Sequence, residues 1–415
     1  MKNNRLTNKK IFRKVLILGY IFLMLCAFLV PGLCSSPTVT VEMIKVYDTR
    51  LPILLETDLK EVFGEAERII RIKFGDDIRI NFHDNGVMTG EQFFNGIKYK
   101  GNPIYKYYSK YKYPLQGTPL FDKEKEQIIE FLKKWKLDDL AGFFPGMAVI
   151  SYEDAYRLTV EAYAGRIQHL KNIRLGTGSP LLFPDNRPYQ SYVDWLGIMN
   201  EQDKYDVIVT NTLIVYDLYI QPYLHTVTLH AKVGGGAFES PKRKTLDGTS
   251  VLMNILSEYG NIKEFSGEEL PVDRSTKNKI LGGFVFAHEF GHTFYLIPDV
   301  YDHGDACLMN GSFENSPHDQ GYRLLIKSHL PCTQCIPYVT AKRNVLLAHS
   351  AYEKGSFLEA GFYYLRAAEL TPMKLAPDRN LYLKKLYGYA QKSYGKAGQK
   401  EKVKHIIELI KALKS

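Results

Sequence analysis

The feature that most constrains this chain is a short, strongly apolar stretch that carries three polar side chains. In GGFVFAHEFGHTF, which begins at Gly282, His288 and His292 lie four residues apart, and Glu289 directly follows the first of them. Residues four apart share one face of a helix, so both imidazoles can reach a single metal ion. A buried glutamate among phenylalanines is costly without a cationic partner, and a divalent metal supplies one. The stretch therefore predicts a metal-binding helix, with a buried helix of two hydrogen-bonded histidines as the alternative.

The order of these residues also indicates the chemistry that the metal would support. The pattern H-E-x-x-H is typical of zinc peptidases, in which the glutamate takes a proton from a zinc-bound water. Here Glu289 follows the first predicted zinc ligand, His288, and would be the general base. Zinc in such a site needs a third protein ligand and an open fourth position for water. The third ligand is therefore expected in the residues that follow the helix.

Those residues resemble a family of secreted enzymes. HEFGHTFYLIPDVYD is similar to the HEFGHxxGLPDxYD pattern of immune-inhibitor-A-type metallopeptidases, with one residue inserted in the turn. In metzincin-type peptidases a glycine turns the chain and the third ligand follows it, but this chain has Tyr295 and Pro298 at those positions. The resemblance implies Asp299 as the third zinc ligand, with His303 and Asp302 as alternatives.

A second resemblance involves a methionine and three cysteines. CLMNG places Met309 where metzincins have a methionine turn beneath the metal, and CLM together with the later CTQC resembles the archaemetzincins. In that family the cysteines help to bind a structural zinc. This chain lacks one of the family's cysteines, and His303 could replace it to complete a site with Cys307, Cys332 and Cys335. The alternative is a disulfide from Cys307 to Cys332 or Cys335, because exported proteins tend to oxidise their thiols.

Hydrophobic periodicity predicts an α/β (α+β) fold followed by an all-α tail. From Thr38 onward, TVTVEMIKVYD, LKEVFGEAERIIRIKFG and DIRINFHD have the periodicities of a strand, a helix and a strand. With the resemblances, this implies a metzincin-like catalytic domain over residues 36–340. Residues 341–415 resemble tetratricopeptide repeats, with Gly355 and Gly398 at the turns of two helical hairpins. Two repeats are below the usual minimum of about three, so we expect this tail to dock on the catalytic domain or on a protein partner.

The N-terminus predicts that the protein works outside the cytoplasm. Residues 1–35 have a basic start, an apolar run and then small residues, which is the layout of a signal peptide. The apolar run at residues 15–33 is an alternative membrane anchor if the leader is not cleaved. The net charge of +9 is concentrated in this leader and in the lysine-rich tail. This distribution does not indicate nucleic-acid binding.

Together these features predict an exported zinc metalloendopeptidase that hydrolyses protein or peptide substrates. Zinc held by the two histidines and Asp299 would activate water, with Glu289 as general base. Tyr295 and Tyr301 are candidates for stabilising the oxyanion. The alternative is a non-catalytic binding or scaffold protein, with a vestigial metallopeptidase domain and partner-binding helical repeats. The tyrosine in the glycine position favours this alternative, and the intact Glu289 opposes it.

Overall fold

The structure, a computed structural model, describes most of the chain between residues 38 and 413. The described residues are 38–51, 56–103, 122–142, 144, 146–172, 190, 192–212, 214, 235–239, 249–254, 274–300, 303, 307–310, 331–375 and 378–413. The predicted signal peptide and membrane anchor lie outside them. Among the helices that are described, none has both the length and the apolar character needed to cross a membrane.

Strands and helices alternate in the first part of the chain, and helices alone form its end. The strands are β1 Thr38–Tyr47, β2 Arg79–Thr89, β3 Lys98–Tyr99, β4 Asn102–Pro103, β5 Val207–Thr210, β6 Gly235–Glu239 and β7 Thr249–Asn254. The helices are α1 Glu56–Phe74, α2 Gly90–Gly96, α3 Asp122–Leu132, α4 Leu137–Ala141, α5 Tyr152–Asn172, α6 Tyr192–Glu201, α7 Arg274–Thr293, α8 Ile336–Glu353, α9 Phe357–Leu370, α10 Arg379–Lys396 and α11 Lys400–Ala412. The predicted strand, helix and strand at the start of the α/β region are confirmed as β1, α1 and β2.

Five of the described strands form one small, mostly parallel sheet. Their order is β2-β1-β5-β7-β6, and β6 at the edge runs antiparallel to β7, while the other neighbours are parallel. β3 and β4 pair separately as a short hairpin. All residues of β5 are buried, as expected for a central parallel strand that is covered on both faces.

Apolar side chains cover both faces of the sheet. On one face, α1 and α7 pack against β1 residues that include Val41 and Met43. On the other face, α2 and α6 enclose Ile44 and Val46 of the same strand. Successive strand residues point to opposite faces, so a single strand can supply both cores. The α/β region is therefore a layered arrangement with the sheet at its centre.

A glycine lets α7, which carries the predicted metal ligands, lie close to α1. A Cβ added to Gly283 would come within 2.8 Å of Glu65 Cγ on α1. Beyond this contact, the rings of Phe63 and Phe286 pack edge to face with their centroids 5.1 Å apart. The close approach holds α7 against α1 and the sheet, and so gives the predicted ligands a rigid base.

The C-terminal region consists of two helical hairpins, as predicted. The turns at Gly355 and Gly398 have φ values of 77° and 71°, a left-handed conformation that glycine adopts without steric cost. Helix α8 begins at Ile336, so the predicted domain boundary at residue 340 falls inside it. The chain is thus a mixed α/β protein with a small, mostly parallel sheet and a C-terminal helical region.

The helical region docks on the α/β region through its first helix. Tyr338 and Val339 of α8 belong to the apolar core that contains α1 and α7. Conversely, Leu296, which lies just after α7, is buried in the core of the helical region. Arg343 on α8 also donates a hydrogen bond to Asp76, which follows α1. The expected docking of the two-repeat tail is therefore confirmed, and the surface that it docks on is the α/β region.

We expect Gly361→Ala to destabilise the helical region. A Cβ at this position of α9 would lie 2.8 Å from the ring of Tyr394, which is almost fully buried. The ring must shift, and overpacking of this kind costs about 1–3 kcal/mol. The better helix propensity of alanine offsets about 1 kcal/mol of that cost. Chemical denaturation followed by circular dichroism measures the change in the free energy of unfolding.

The matched control is Gly388→Ala on α10. An added Cβ there meets no atom of the described residues within 4 Å, so we expect the free energy of unfolding to rise by up to about 1 kcal/mol. Equal changes in the two variants would contradict the close packing of α9 against α10.

Candidate metal centres

The two histidines of α7 face the same side of the helix. His288 and His292 stand one turn apart with perpendicular rings, whose centroids are 4.7 Å apart. Their Nε2 atoms are separated by 3.1 Å. The side chains are 18% and 14% exposed, so the pair is largely shielded from water.

Hydrogen bonds to the backbone fix the orientation of both imidazole rings. His288 Nδ1 lies 2.8 Å from the carbonyl oxygen of Leu308, and His292 Nδ1 lies 2.6 Å from that of Ile297. A carbonyl oxygen only accepts hydrogen bonds, so each Nδ1 carries the hydrogen. In the neutral rings both Nε2 atoms then present lone pairs to each other, and these repel unless a cation lies between them. Fixing the second nitrogen in this way is typical of metal-binding histidines.

Asp299 supplies a third ligand atom next to this pair. Its Oδ1 is 3.4 Å from His292 Nε2 and 3.6 Å from His288 Nε2. Atoms about 2.0–2.1 Å from one tetrahedral zinc lie about 3.3–3.4 Å from each other, so these three can surround one ion. The Asp299 side chain is 53% exposed, which leaves the group open to solvent on one side. Of the two alternative ligands, His303 belongs to a different group described below, and Asp302 lies outside the described residues.

Burial and mutual charge shift the pKa values of these three groups. Burial, together with the neighbouring His292, lowers the pKa of His288 to about 4. Burial also favours neutral His292, but the hydrogen bond with Asp299 and the charge of Glu289 outweigh it, so the pKa of His292 is raised. Burial alone would raise the pKa of Asp299, whereas the two imidazoles lower it overall. A neutral His288 beside an ionised Asp299 is the protonation state that binds a metal.

Glu289 lies half-buried beside the histidine pair. One of its oxygens and the two histidine ligand atoms all lie within 4.8 Å of one another. The backbone of β6 covers it closely, because a Cβ on Gly235 would be 2.9 Å from Glu289 Oε1. Burial raises the pKa of Glu289 to about 7, opposed by His292 and reinforced by Asp299. A carboxyl group with a pKa near neutrality can both accept and release a proton at physiological pH.

The turn after α7 accommodates the inserted residue in a specific way. Leu296 has a φ of 59°, in the left-handed region that favours glycine. It lies one residue after Tyr295, which occupies the position expected for the glycine. Ile297 N donates a hydrogen bond to Gly291 O at 3.1 Å and so closes the turn against α7. With the extra residue absorbed in this way, the chain reaches the histidine pair at Asp299.

Tyr295 does not have the role that was predicted for it. Its side chain is buried, and its Oη donates a hydrogen bond to Asp76 Oδ2 at 2.8 Å. Burial and the charge of Asp76 raise the pKa of this phenol well above its ordinary value. The hypothesis that Tyr295 stabilises an oxyanion is therefore wrong, because its hydroxyl is engaged in the interior. Tyr301, the other candidate, lies outside the described residues.

Met309 packs against α7, the helix that carries the predicted metal ligands. It has no exposed surface, and a Cβ added to Gly291 of α7 would clash with its sulfur. Its carbonyl oxygen accepts a hydrogen bond of 2.9 Å from Val300 N, which holds the segment directly after Asp299. The methionine turn stays a prediction, which this packing against α7 supports.

The second group of candidate ligands consists of three cysteines and a histidine. His303 Nδ1 lies 3.7 Å from Cys307 Sγ, and the corresponding distances to Cys332 and Cys335 are 3.8 and 3.5 Å. The sulfurs of Cys307 and Cys335 are 3.5 Å apart. Around one tetrahedral ion, with nitrogen at about 2.0–2.1 Å and sulfur at about 2.3 Å, a nitrogen and a sulfur lie about 3.5–3.6 Å apart and two sulfurs about 3.8 Å apart. The four side chains can therefore hold a metal ion with protein ligands alone.

The three cysteines are free thiols in this structure. The Cys307–Cys335 sulfur distance of 3.5 Å far exceeds the disulfide bond length of about 2.05 Å, so no disulfide joins these two residues in the structure. Hydrogen bonds from Cys307 and Cys335 lower the pKa of Cys332, whereas the pKa values of Cys307 and Cys335 are raised. The ammonium group of Lys73 is almost fully buried nearby; burial lowers its pKa, and Cys307 and Cys332 act against this. A thiolate beside a buried cation suits a metal-binding group.

No protein-family model matches this chain, and no curated protein and no solved structure matches it either.

Several residues that position the ligands were not predicted from the sequence. Leu308 and Ile297 act through backbone carbonyls, which leave no signal in residue type. Gly235 belongs to a run of three glycines, which indicates a close approach of the backbone but does not identify Glu289 as its partner. Asp76 carries no motif, and a buried carboxylate can be recognised only once its partners are known.

We expect the purified full-length protein to bind two metal ions per chain. His292→Ala and Cys335→Ser should each lower the metal content by one equivalent, because each removes a ligand from a different group. Inductively coupled plasma mass spectrometry measures this. His405→Ala, on the exposed side of α11, is the control and should retain both ions.

Two outcomes would contradict these assignments separately. Retention of both ions in His292→Ala would exclude the α7 group as a metal site. Unchanged metal in Cys335→Ser, together with a disulfide mapped by mass spectrometry, would exclude the cysteine group.

Proposed function

We propose that this protein is a zinc-dependent endopeptidase that acts on protein or peptide substrates outside the cytoplasm. The observation that carries the proposal is the convergence of the two Nε2 atoms of His288 and His292 with Asp299 Oδ1 at separations of 3.1–3.6 Å. The Glu289 carboxyl group lies alongside them. Three protein ligands with an open side are the arrangement of catalytic zinc sites. The resemblance of the same residues to metzincin-type peptidases supports this function.

The donor atoms favour zinc in both groups. Two imidazoles with a carboxylate, and three thiolates with an imidazole, are both ligand sets of tetrahedral zinc. The first group is open to solvent at Asp299 and suits catalysis. The second has four protein ligands and suits a structural ion, which would tie the segment at Cys307 to the start of α8.

The proposed reaction divides the work between the metal and a few side chains. Bound zinc would lower the pKa of a water ligand to about 7 and polarise the substrate carbonyl. Glu289, whose pKa burial raises to about 7, accepts a proton from the attacking water as the water oxygen bonds to the carbonyl carbon. The same carboxyl group then releases the proton to the amine nitrogen as the C–N bond breaks. His288 and His292 would hold the ion through Nε2, because each Nδ1–H is bonded to a carbonyl.

The position of β6 supports an extended peptide as the substrate. β6 is an edge strand of the described sheet, and Gly235 brings its backbone against Glu289. An extended chain can add to a sheet edge through main-chain hydrogen bonds, which do not depend on its side chains. A peptide bound there would pass close to the general base.

A binding function for the helical region is the second candidate. Leu358 and Phe362 stand one turn apart on α9 and are 49% and 55% exposed, and a neighbouring pair of exposed apolar side chains is a feature of protein-binding surfaces. A scaffold protein with a vestigial metal domain would gain nothing from keeping Glu289 buried at an energetic cost beside the histidines. We therefore favour the enzyme.

We expect Glu289→Gln to abolish proteolysis while the protein keeps its zinc. The amide cannot accept the proton of the attacking water, so kcat should fall on the order of 10²–10⁴-fold. Cleavage of a denatured protein substrate by the zinc-loaded protein measures the activity, and metal analysis of the same sample measures the zinc.

Glu401→Gln, at an exposed position of α11, is the control and should cleave as the wild type does. Loss of zinc from Glu289→Gln would show that this residue is a ligand rather than a base. If the zinc-loaded wild type cleaves no peptide or protein at any pH, the endopeptidase proposal fails and the binding function gains.

A further inference from the structure

The turn that precedes Asp299, residues 294–297, contacts an apolar core in each of the two regions of the protein. Tyr295 and Ile297 are buried in the core of the α/β region, whereas Leu296 between them is buried in the core of the helical region. The left-handed φ of Leu296, 59°, is strained for a residue with a branched side chain, and such strain persists only where the surroundings hold it. The contacts of Leu296 within the helical region are those surroundings.

A buried carboxylate connects the same turn to α8. Asp76 has no exposed surface, and it accepts hydrogen bonds of 2.8 Å from Tyr295 Oη and from Arg343 Nε. A residue of the helical region thus neutralises the carboxylate that anchors Tyr295. The neighbouring Lys342 places its ammonium group 4.4 Å from the ring centroid of Phe294, a cation–π contact with the first residue of the turn.

This turn positions two of the proposed metal ligands, His292 and Asp299. Ile297 O receives the Nδ1 hydrogen bond of His292 at 2.6 Å, and Asp299 lies two residues further along the chain. Ile297 N is bonded to Gly291 O, so the turn and the end of α7 form one unit. A shift of the turn would therefore change the orientation of His292 and the reach of Asp299 together.

We infer that the helical region is a working part of the α7 metal centre, in which Leu296 and Arg343 are positioning residues for His292 and Asp299. They act through the turn and contact neither metal nor substrate. The kinetic consequence rests on the proposed function, but the effect on metal coordination does not. The helical region would then serve the centre directly, whether or not it also binds a partner.

Leu296→Gly in the full-length protein tests the inference. It removes the side chain that is buried in the helical region, and glycine adopts the left-handed conformation without strain. We expect kcat for a peptide substrate to fall on the order of 10²-fold with little change in KM, the effect of misplacing a catalytic group by about 1 Å. With cobalt in place of zinc, the visible absorption of the α7 centre should change, because it reports coordination geometry. The thiolate-to-cobalt absorption of the cysteine group should stay the same.

The matched control is Leu383→Ala on α10. Leu383 is as deeply buried as Leu296 in the same helical core, but it is not part of the turn. We expect this variant to lower the melting temperature and to leave kcat and the cobalt spectrum of the folded protein unchanged. If both variants lose activity only in proportion to the loss of folded protein, Leu296 is merely structural and the inference is wrong.

Arg343 provides a second, independent pair of variants. Arg343→Lys keeps a cation beside Asp76 and should retain most of the wild-type kcat and cobalt spectrum, whereas Arg343→Met leaves the buried carboxylate without that partner and should alter both. Wild-type kcat and spectrum in Arg343→Met would overturn the role of Arg343. Should Arg343→Met fail to fold, the Leu296 comparison decides the inference.

The spectral measurement separates this inference from the proposed function. A wild-type protein that binds cobalt at the α7 centre but hydrolyses no peptide would refute the peptidase proposal. The spectra of Leu296→Gly and Leu383→Ala would still show whether the helical region positions the ligands.

Discussion

Two imidazole nitrogens face each other at 3.1 Å in this structure, and neither ring can turn away without breaking the bond from its Nδ1 to a backbone carbonyl. A proton on His292, whose pKa is raised, can relieve the repulsion between their lone pairs, but burial lowers the pKa of His288 to about 4 and so opposes a second charge. A metal ion between the two nitrogens would remove this repulsion and would also bind the carboxylate of Asp299. Because the two carbonyls belong to Leu308 and Ile297, metal binding would stabilise the loops that carry them as well as the histidines.

The four residues from Cys307 onward connect the two ligand groups. Cys307 belongs to the cysteine group, and the carbonyl of the next residue, Leu308, fixes the ring of His288. Met309 packs under α7, and its backbone holds Val300 beside Asp299, the proposed third ligand. An ion in the cysteine group would therefore order the segment on which the orientation of His288 depends. If both groups bind ions, the closed group would support the open one, which gives a physical reason for the two groups to lie so close together in the chain.

Features with a local cause were predictable from the sequence. The alternating pattern of β1, the helical spacing of His288 and His292, and the glycine turns at Gly355 and Gly398 each depend on a few neighbouring residues, and the structure has them as expected. The predicted cysteines and histidine also come together as one group. The role of Tyr295 could not be predicted, because its partner Asp76 is 219 residues away in the chain. Helix α8 begins directly after the C-x-x-C turn, so the predicted boundary at residue 340 lies within a helix.

The turn that contains the inserted residue depends on contacts with the helical region. A glycine allows a sharp turn after a metal-binding helix without help, because it has no Cβ to strain. Here Tyr295 and Leu296 take its place. Leu296 needs an apolar core around its side chain, and Asp76, which accepts the hydrogen bond of Tyr295, needs a cation. The α/β region alone supplies neither. Helix α8 brings both, through the helical core and through Arg343. The same docking gives two helical hairpins the interface that an isolated pair of repeats lacks. The departure from the glycine pattern is therefore compensated structurally, because side chains from a second region hold the turn in its place.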